Sequence, residues 1–209
     1  ISAIYIRGIG SRINSPAVGL YVDDVPYIDK SSFDFDFNDI SKVEVFRGPQ
    51  GTLFGRNTMA GLINLYTVSP FQEEGLKVKL GVANYDTYNA AFNFRKKISD
   101  KFALSLSANY NTRDGFYTNQ FTGKSCGDEE VAGANLKLQF RPTSSLDITL
   151  SSIYEYSNQD GYAYQMYDKL TQEVSPINYN DYAGYKRNMS VNSLKIAYTH
   201  EKFLMNSVT

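Results

Sequence analysis

From residue 76 onward, apolar and polar residues alternate with a period of two, run after run. Leu76, Val78, Leu80 and Val82 share one face of residues 76–83, with Lys77, Lys79 and Gly81 opposite. Residues 88–98 set Tyr88, Ala90, Phe92, Phe94 and Ile98 against Asn89, Asn93, Arg95 and Lys97. The same alternation continues over residues 102–112, 132–140 and 146–156, and less regularly over 188–199, where Leu194, Ile196 and Tyr198 form the apolar set. A new strand begins near residue 203. Each run has about the nine to eleven residues that a tilted strand needs to cross a bilayer. Alternation alone also fits a soluble sandwich, so the connections matter. Residues 99–101, 142–145 and 200–202 are short turns, whereas 113–130 and 157–187 are long and rich in Gly, Asn, Asp and Tyr. Long loops on one side and short turns on the other are the pattern of an outer-membrane barrel, with the early turn at 84–87 as the one short connection on the long-loop side. Aromatic residues near the ends of the apolar runs (Phe102, Tyr110, Phe140, Tyr154, Tyr156, Tyr198) fit interfacial girdles.

Residues 1–70 follow another pattern and predict a small α+β domain. Residues 3–7 and 19–25 are short predicted strands around the polar turn at 11–16. Residues 33–37 alternate Phe and Asp, as a strand or as a loop with aromatic anchors. Residues 42–46 predict a strand that ends at Gly48-Pro49, and 62–68 the last strand of the domain. Between them Gly51, Gly55 and Gly61 permit sharp turns or a close approach to another wall.

Composition narrows the classes. The net charge of -1 gives no sign of a nucleic-acid partner. There are 17 Tyr and 13 Phe but no Trp. Tyrosine suits a surface that is apolar along the ring and wet at the hydroxyl, as at a membrane interface or ligand vestibule. No stretch approaches the ~18 apolar residues of a membrane-spanning helix, which leaves a barrel untouched. Cys126 is the lone cysteine and His200 the lone histidine, in different segments, so no nucleophile–base pair is expected. The acidic residues Asp23, Asp24, Asp29, Asp34, Asp36 and Asp39 lack the spacing of a calcium loop, and no metal site is expected. Gly8-Ile-Gly10 and Gly48-Pro-Gln-Gly51 lack the Lys-Ser/Thr of a phosphate loop, and no cofactor is expected.

Three motifs then coincide in order: Ile6-Arg7-Gly8, the strand LYVDDVPY over residues 20–27, and ISKVEVFRGPQGTLFGRNTMAGLINLYT over residues 40–67. Together they resemble the plug of TonB-dependent outer-membrane receptors, whose pattern reads IRG, a VDGV-type strand, and VEVxRGPxGxLYGxxAxAGxINxxT. The resemblance implies most of a plug over residues 1–70, followed over 75–209 by about six strands of a transmembrane antiparallel barrel of about 22. The chain begins at Ile1 without an initiator Met and stops inside a new strand, so a fragment is expected, with the first part of the plug missing. The resemblance further implies that Arg7 and Arg47 lock the plug to barrel glutamates, with Glu44 on the same strand as Arg47 sharing that network. Gly8, Gly48, Gly51, Gly55 and Gly61 would be structural glycines. Asp24 departs from the family pattern, which has Gly there. The turn is expected to survive, since Asp tolerates a positive φ, with a polar side chain added at its tip.

For ligand contact the resemblance points to outward plug loops, hence Arg12, Asn14, Tyr27, Asp29 and Lys30. The long loop 157–187 adds Tyr162, Tyr164 and Tyr167, with Tyr179, Tyr182 and Tyr185 as further candidates. The function implied is energised uptake, without catalysis, of a scarce nutrient such as an iron–siderophore, haem, cobalamin, oligosaccharide or peptide. The partners implied are TonB, through a box absent here, outer-membrane lipid, the extracellular ligand, and a surface lipoprotein as a further candidate. A plugless porin, a barrel enzyme and a soluble tyrosine-rich glycan-binding sandwich are the competing readings. Residues 1–70 count against the porin, and the absence of a Ser/His constellation counts against the enzyme.

Overall fold

A computed structural model of the chain describes residues 4–10, 17–28, 39–161, 163–181 and 183–209. The segment at 33–37 therefore lies outside the described residues. The chain opens with a two-stranded ribbon, β1 (Tyr5–Ile6) and β2 (Ile9–Gly10). Strands β3 (Val18–Val22) and β4 (Val25–Tyr27) follow, then β5 (Ile40–Arg47), the single helical turn α1 (Gly51–Phe54) and β6 (Gly61–Thr67). These form a four-stranded sheet in the order β4-β3-β6-β5, with β3 and β6 parallel and the other pairs antiparallel. The strand expected over 19–25 is broken at Asp23-Asp24. Both residues adopt positive φ (50° and 72°), the backbone of a two-residue hairpin turn. Arg7 (φ 52°) and Gly8 (φ 78°) make the equivalent turn between β1 and β2.

All five residues of β3 are buried, because it is central in the sheet and covered on both faces. On one face Tyr21 meets Phe54 edge-on at 5.3 Å, and Phe54 lies 6.0 Å from Phe46, so α1 closes over that side. Leu20, Val22 and Tyr27 form the other face.

Beyond residue 70 the long strands are β7 (Gly75–Ala83), β8 (Thr87–Lys97) and β9 (Phe102–Arg113). A hairpin of β10 (Tyr117–Thr118) and β11 (Ser125–Cys126) precedes β12 (Glu129–Thr143) and β13 (Leu146–Asp160). A second hairpin of β14 (Tyr167–Asp168) and β15 (Glu173–Val174) precedes β16 (Gly184–His200) and β17 (Phe203–Val208). Seven of these pair antiparallel in the order β17-β16-β13-β12-β9-β8-β7, a meander that remains open at β7 and β17 among the described residues. The alternation places the strands well. It underestimates β12, β13 and β16, which run on into the long-loop side. At ~3.3 Å per residue, 15 residues reach ~50 Å, more than a ~30 Å hydrocarbon layer.

Register exposes the geometry of the outer face. On β7 the outward apolar set runs from Leu76 to Val82, and it moves down the ladder from strand to strand until β16, where it runs from Tyr198 to Leu194. Over five strand-to-strand steps the band shifts by about six residues at its lower edge and about eight at its upper edge. With a rise of ~3.3 Å and a spacing of ~4.8 Å, that is a strand tilt of roughly 40–48°, close to the ~35–45° of membrane barrels. Leu76, Leu80 and Val82 on this face are more than 60% exposed, as a lipid-facing surface requires. Among the described residues no helix is long and apolar enough to cross a membrane.

The inner face is the reverse. Asn93, Arg95, Ser105, Lys137, Gln139, Glu155 and Ser193 are polar and buried. They are buried because the small sheet lies against them. Leu20, Val22 and Tyr27 pack with Met189, and Ile63, Leu65 and Val191 complete that apolar contact.

Candidate functional site: the seam between the small sheet and the strand wall

Around that apolar contact the seam is held by charge. Asp23 sits at the β3–β4 turn, where its carboxylate accepts from Thr67 N at 2.9 Å and Thr67 Oγ1 at 2.8 Å. Its Oδ2 also lies 2.7 Å from Lys137 Nζ on β12, and the Lys137 side chain is only 7% exposed. Lys137 donates to Thr67 Oγ1 as well. Asp24, the next residue, pairs with Lys195 on β16 and accepts from Asn64 Nδ2 at 3.2 Å. Arg95 on β8 pairs with Asp39 of the small sheet's side and with Glu73 on the segment leading into β7. Its Nε also donates to the Glu73 carbonyl at 3.2 Å. Ser69 adds a hydrogen bond to Gln139 at 2.7 Å. The wall thus offers cations and the small sheet carboxylates, with a cation on each of three alternate strands.

The local electrostatics follow. Burial of Asp24 raises its carboxyl pKa, but hydrogen bonds from Lys195, Asn64 and Tyr66 together with the Lys195 charge outweigh it, and the net shift is downward. Tyr66 is pushed up to about 12 by burial and then by the Asp24 and Glu44 carboxylates, so it stays a neutral donor. The Tyr27 hydroxyl is also pushed up, chiefly by burial and further by Asp23 and Glu155.

The residues expected to matter are distributed differently. Arg7 lies exposed in the β1–β2 turn and Arg47 exposed at the end of β5, and neither makes an ion pair among the described residues. Glu44 does not join Arg47. The two have opposite parity on β5 and so face opposite ways, and Glu44 pairs with Lys42, which holds its carboxyl pKa down. Tyr27 is 5% exposed, inside the seam and not on an outward loop, so it is buried from any ligand in this arrangement. Arg12, Asn14, Asp29, Lys30, Tyr162 and Tyr182 lie outside the described residues. Tyr164 and Tyr167 are exposed on the long-loop side, where Tyr164 stacks on Tyr179 at 4.6 Å and 8°. Tyr185 opens β16.

The long loops pack on each other. Asn119 Nδ2 donates to the Tyr179 carbonyl at 2.8 Å, and Gln120 N to the carbonyl of buried Ile177 at 2.8 Å. They enclose a cleft of about 640 Å³ lined by residues including Lys124, Asp128, Asp160 and Asp181. Cys126 is buried there, and burial, with Asp160 and Asp128 nearby, pushes its thiol up. His200 lies at the opposite end of the sheet, stacked on Phe203 at 4.9 Å. Of the six aspartates weighed for calcium, Asp23, Asp24 and Asp39 are engaged by wall cations, and the other three lie outside the described residues. No cluster of three or more potential metal ligands occurs among the described residues.

Four of the five glycines have positive φ: Gly8, Gly48, Gly55 and Gly61. Gly61 also lacks room, since a Cβ would lie 2.4 Å from the Phe46 carbonyl oxygen. At Gly51 neither constraint operates among the described residues. The wall cations Arg95, Lys137 and Lys195 were visible in the sequence only as inward positions of alternating strands. The signal that could have singled them out is a long cation at an inward position of such a strand.

Comparison with known proteins fits this architecture. The model of the TonB-dependent receptor plug domain matches residues 1–62. The pesticin receptor of Yersinia pestis is 34% identical over 145 residues, covering 68% of this chain and 21% of that protein. The vitamin B12 transporter BtuB of Vibrio vulnificus is 26% identical over 202 residues, covering 91% of this chain and 29% of that protein. The crystal structure of the ferric yersiniabactin uptake receptor FyuA from Yersinia pestis superposes with a TM-score of 0.77 at 28% identity, covering 92% of this chain and 31% of that one. The chain thus spans between a fifth and a third of the length of these relatives. With its plug motifs, its sheet of tilted lipid-facing strands and these relatives, the chain belongs to the TonB-dependent receptors.

Proposed function

We propose that this chain forms the plug and the first barrel strands of a receptor that imports a scarce ferric chelate across the bacterial outer membrane, driven by TonB. In this reading residues 1–70 are the plug and 75–209 the beginning of a barrel of about 22 strands. The observation that carries it is the seam. A folded sheet sits on the polar inner face of a lipid-facing wall and is held there by ion pairs, the arrangement of a closed channel that must be opened by work. A plugless porin has no use for such a sheet, and a soluble sandwich would not leave Leu80 and Val82 about four-fifths exposed. A ferric chelate is favoured over a corrinoid because the ferric yersiniabactin uptake receptor and the pesticin receptor align at higher identity than the vitamin B12 transporter. Paired tyrosines and the cleft between the long loops supply a surface of the mixed apolar and hydrogen-bonding kind that such chelates need. Arg7 and Arg47 remain available as locks to a wall segment outside this chain.

The test uses the full receptor in its own host. Uptake of radio-iron presented on chelates from the host's spent medium is expected to fall at least tenfold on deletion of the receptor and equally on deletion of TonB. Uptake of radio-cobalt cyanocobalamin in place of iron would replace the ferric reading with the corrinoid one. Uptake indifferent to TonB would sink both.

A further inference from the structure

We infer that the Asp23–Asp24 turn is a two-point latch that holds the plug shut against the barrel wall at mid-membrane depth, with Lys137 and Lys195 as its two catches. The inference rests on the plug-and-barrel reading and adds to it the residues that resist opening. Two adjacent carboxylates at the tip of a turn with φ of 50° and 72° diverge, and each meets a lysine on a different wall strand, β12 or β16. Depth follows from register. Lys137 lies between lipid-facing Leu136 and Leu138, and Lys195 between Leu194 and Ile196, so both cations sit behind the apolar band. Space follows from it too. The residues paired beside Lys137 are Ser105 and Ser151, short enough to let the plug turn approach the wall.

The arrangement is polarised. Arg95 keeps Glu73, on the segment joined to β7, as a partner even if Asp39 leaves with the plug. The hydrogen-bond and ion-pair partners of Lys137 and Lys195 among the described residues, by contrast, all belong to the plug side. Separation therefore breaks the lysine contacts together but leaves Arg95 paired with Glu73. The apolar part of the seam, Leu20, Val22 and Tyr27 against Met189, is small and lies beside the same turn. Ion pairs in a lumen that water can enter suit a latch: desolvation offsets much of their attraction, so they orient strongly and release when solvated. Position 24 is where the family pattern has glycine. The aspartate there and the lysine that meets it make the second point of the latch a property of this chain.

The experiment uses the full receptor in cells, with passive entry of vancomycin as the probe of an open lumen and TonB-dependent radio-iron uptake measured in parallel. Lys137→Met, Lys195→Gln and Asp24→Asn are each expected to lower the inhibitory concentration of vancomycin, and Lys137→Met with Lys195→Gln by about tenfold, equivalent to ~1.4 kcal/mol. The exchanged pair Asp24→Lys with Lys195→Asp is expected to restore exclusion, which mere damage to the fold would not. The lysine variants leave the plug's own contacts intact, so a misfolded plug is not an alternative outcome for them. Unchanged exclusion in the double lysine variant overturns the latch, as does an exchanged pair that leaks like its single variants. If the unmodified receptor shows no TonB-dependent uptake while these variants still leak, the transport reading fails and the latch stands. If uptake depends on TonB and the leak does not move, the latch alone fails.

Discussion

Replacing Gly61 with alanine isolates one constraint of the plug. Gly61 begins β6, pairs with Arg47 across the sheet and with Val18 on the parallel side, and has φ of 153°. A side chain in that backbone region costs about 1–3 kcal/mol. The added Cβ would also lie 2.4 Å from the Phe46 carbonyl oxygen and 2.6 Å from Ile6 Cδ1, about 1 Å inside ordinary contact. Ile6 can rotate, but the carbonyl belongs to the neighbouring strand. Relief therefore means parting β5 from β6 and weakening one or two ladder hydrogen bonds, at about 0.5–1.5 kcal/mol each. The expected total is about 2–6 kcal/mol, a large share of a small domain's stability. Gly55→Ala is the control: its φ of 71° carries the backbone cost, but nothing lies within 4 Å of the new methyl. Hydrogen exchange of the full receptor, read on peptides covering β5 and β6, measures the difference. Because tenfold corresponds to ~1.4 kcal/mol, Gly61→Ala should speed exchange there by roughly one and a half to four orders of magnitude, and Gly55→Ala clearly less. Equal effects of the two variants, or less than tenfold for Gly61→Ala, would refute the steric argument.

Three further outcomes follow from the same structure. Because the Asp24 pKa is held below its ordinary 3.8, its contribution to docking is fully present above that value and is lost as pH falls through the depressed native value. Protection of the β3–β4 turn from protease should therefore weaken below about pH 4 in the parent and be less pH-dependent in Asp24→Asn. Leu106 lies mid-band on the lipid face of β9, so Leu106→Arg should destabilise the full receptor in vesicles by about 2–4 kcal/mol, measured by urea unfolding, while Tyr110→Arg, nearer the band's edge, should cost about 0–1 kcal/mol. Cys126 is 9% exposed with its thiol pushed up, so alkylation by iodoacetamide at pH 8 should run at least about tenfold slower than for a free cysteine, and should speed up once the loops are unfolded by urea.

Period-two alternation with short and long connections suffices to assign the wall strands, their inward and outward faces and the side that carries the loops. Register between neighbours then turns the apolar band into a tilt, because each strand's outward set is displaced along the ladder. The glycine-punctuated motif over 40–67 likewise locates the plug and its family, since backbone that needs positive φ or close approach leaves Gly at those places. Charge was harder. Arg7 and Arg47 stood out because a motif marks them, yet both are exposed here, and Lys137, Lys195 and Arg95 do the pairing. Tyr27 looks in sequence like a residue of an outward loop, and the seam buries it.

By itself, then, the sequence determines which residues lie in strands, which face each takes and which machine the chain belongs to. These depend on local backbone preference and on a periodicity set by neighbours a few positions away. Only the tertiary structure decides that Asp23 meets Lys137 and Asp24 meets Lys195 from strands more than a hundred residues downstream. An ion pair's partner is chosen by how the plug docks and how the strands are registered, and neither leaves a periodic trace along the chain.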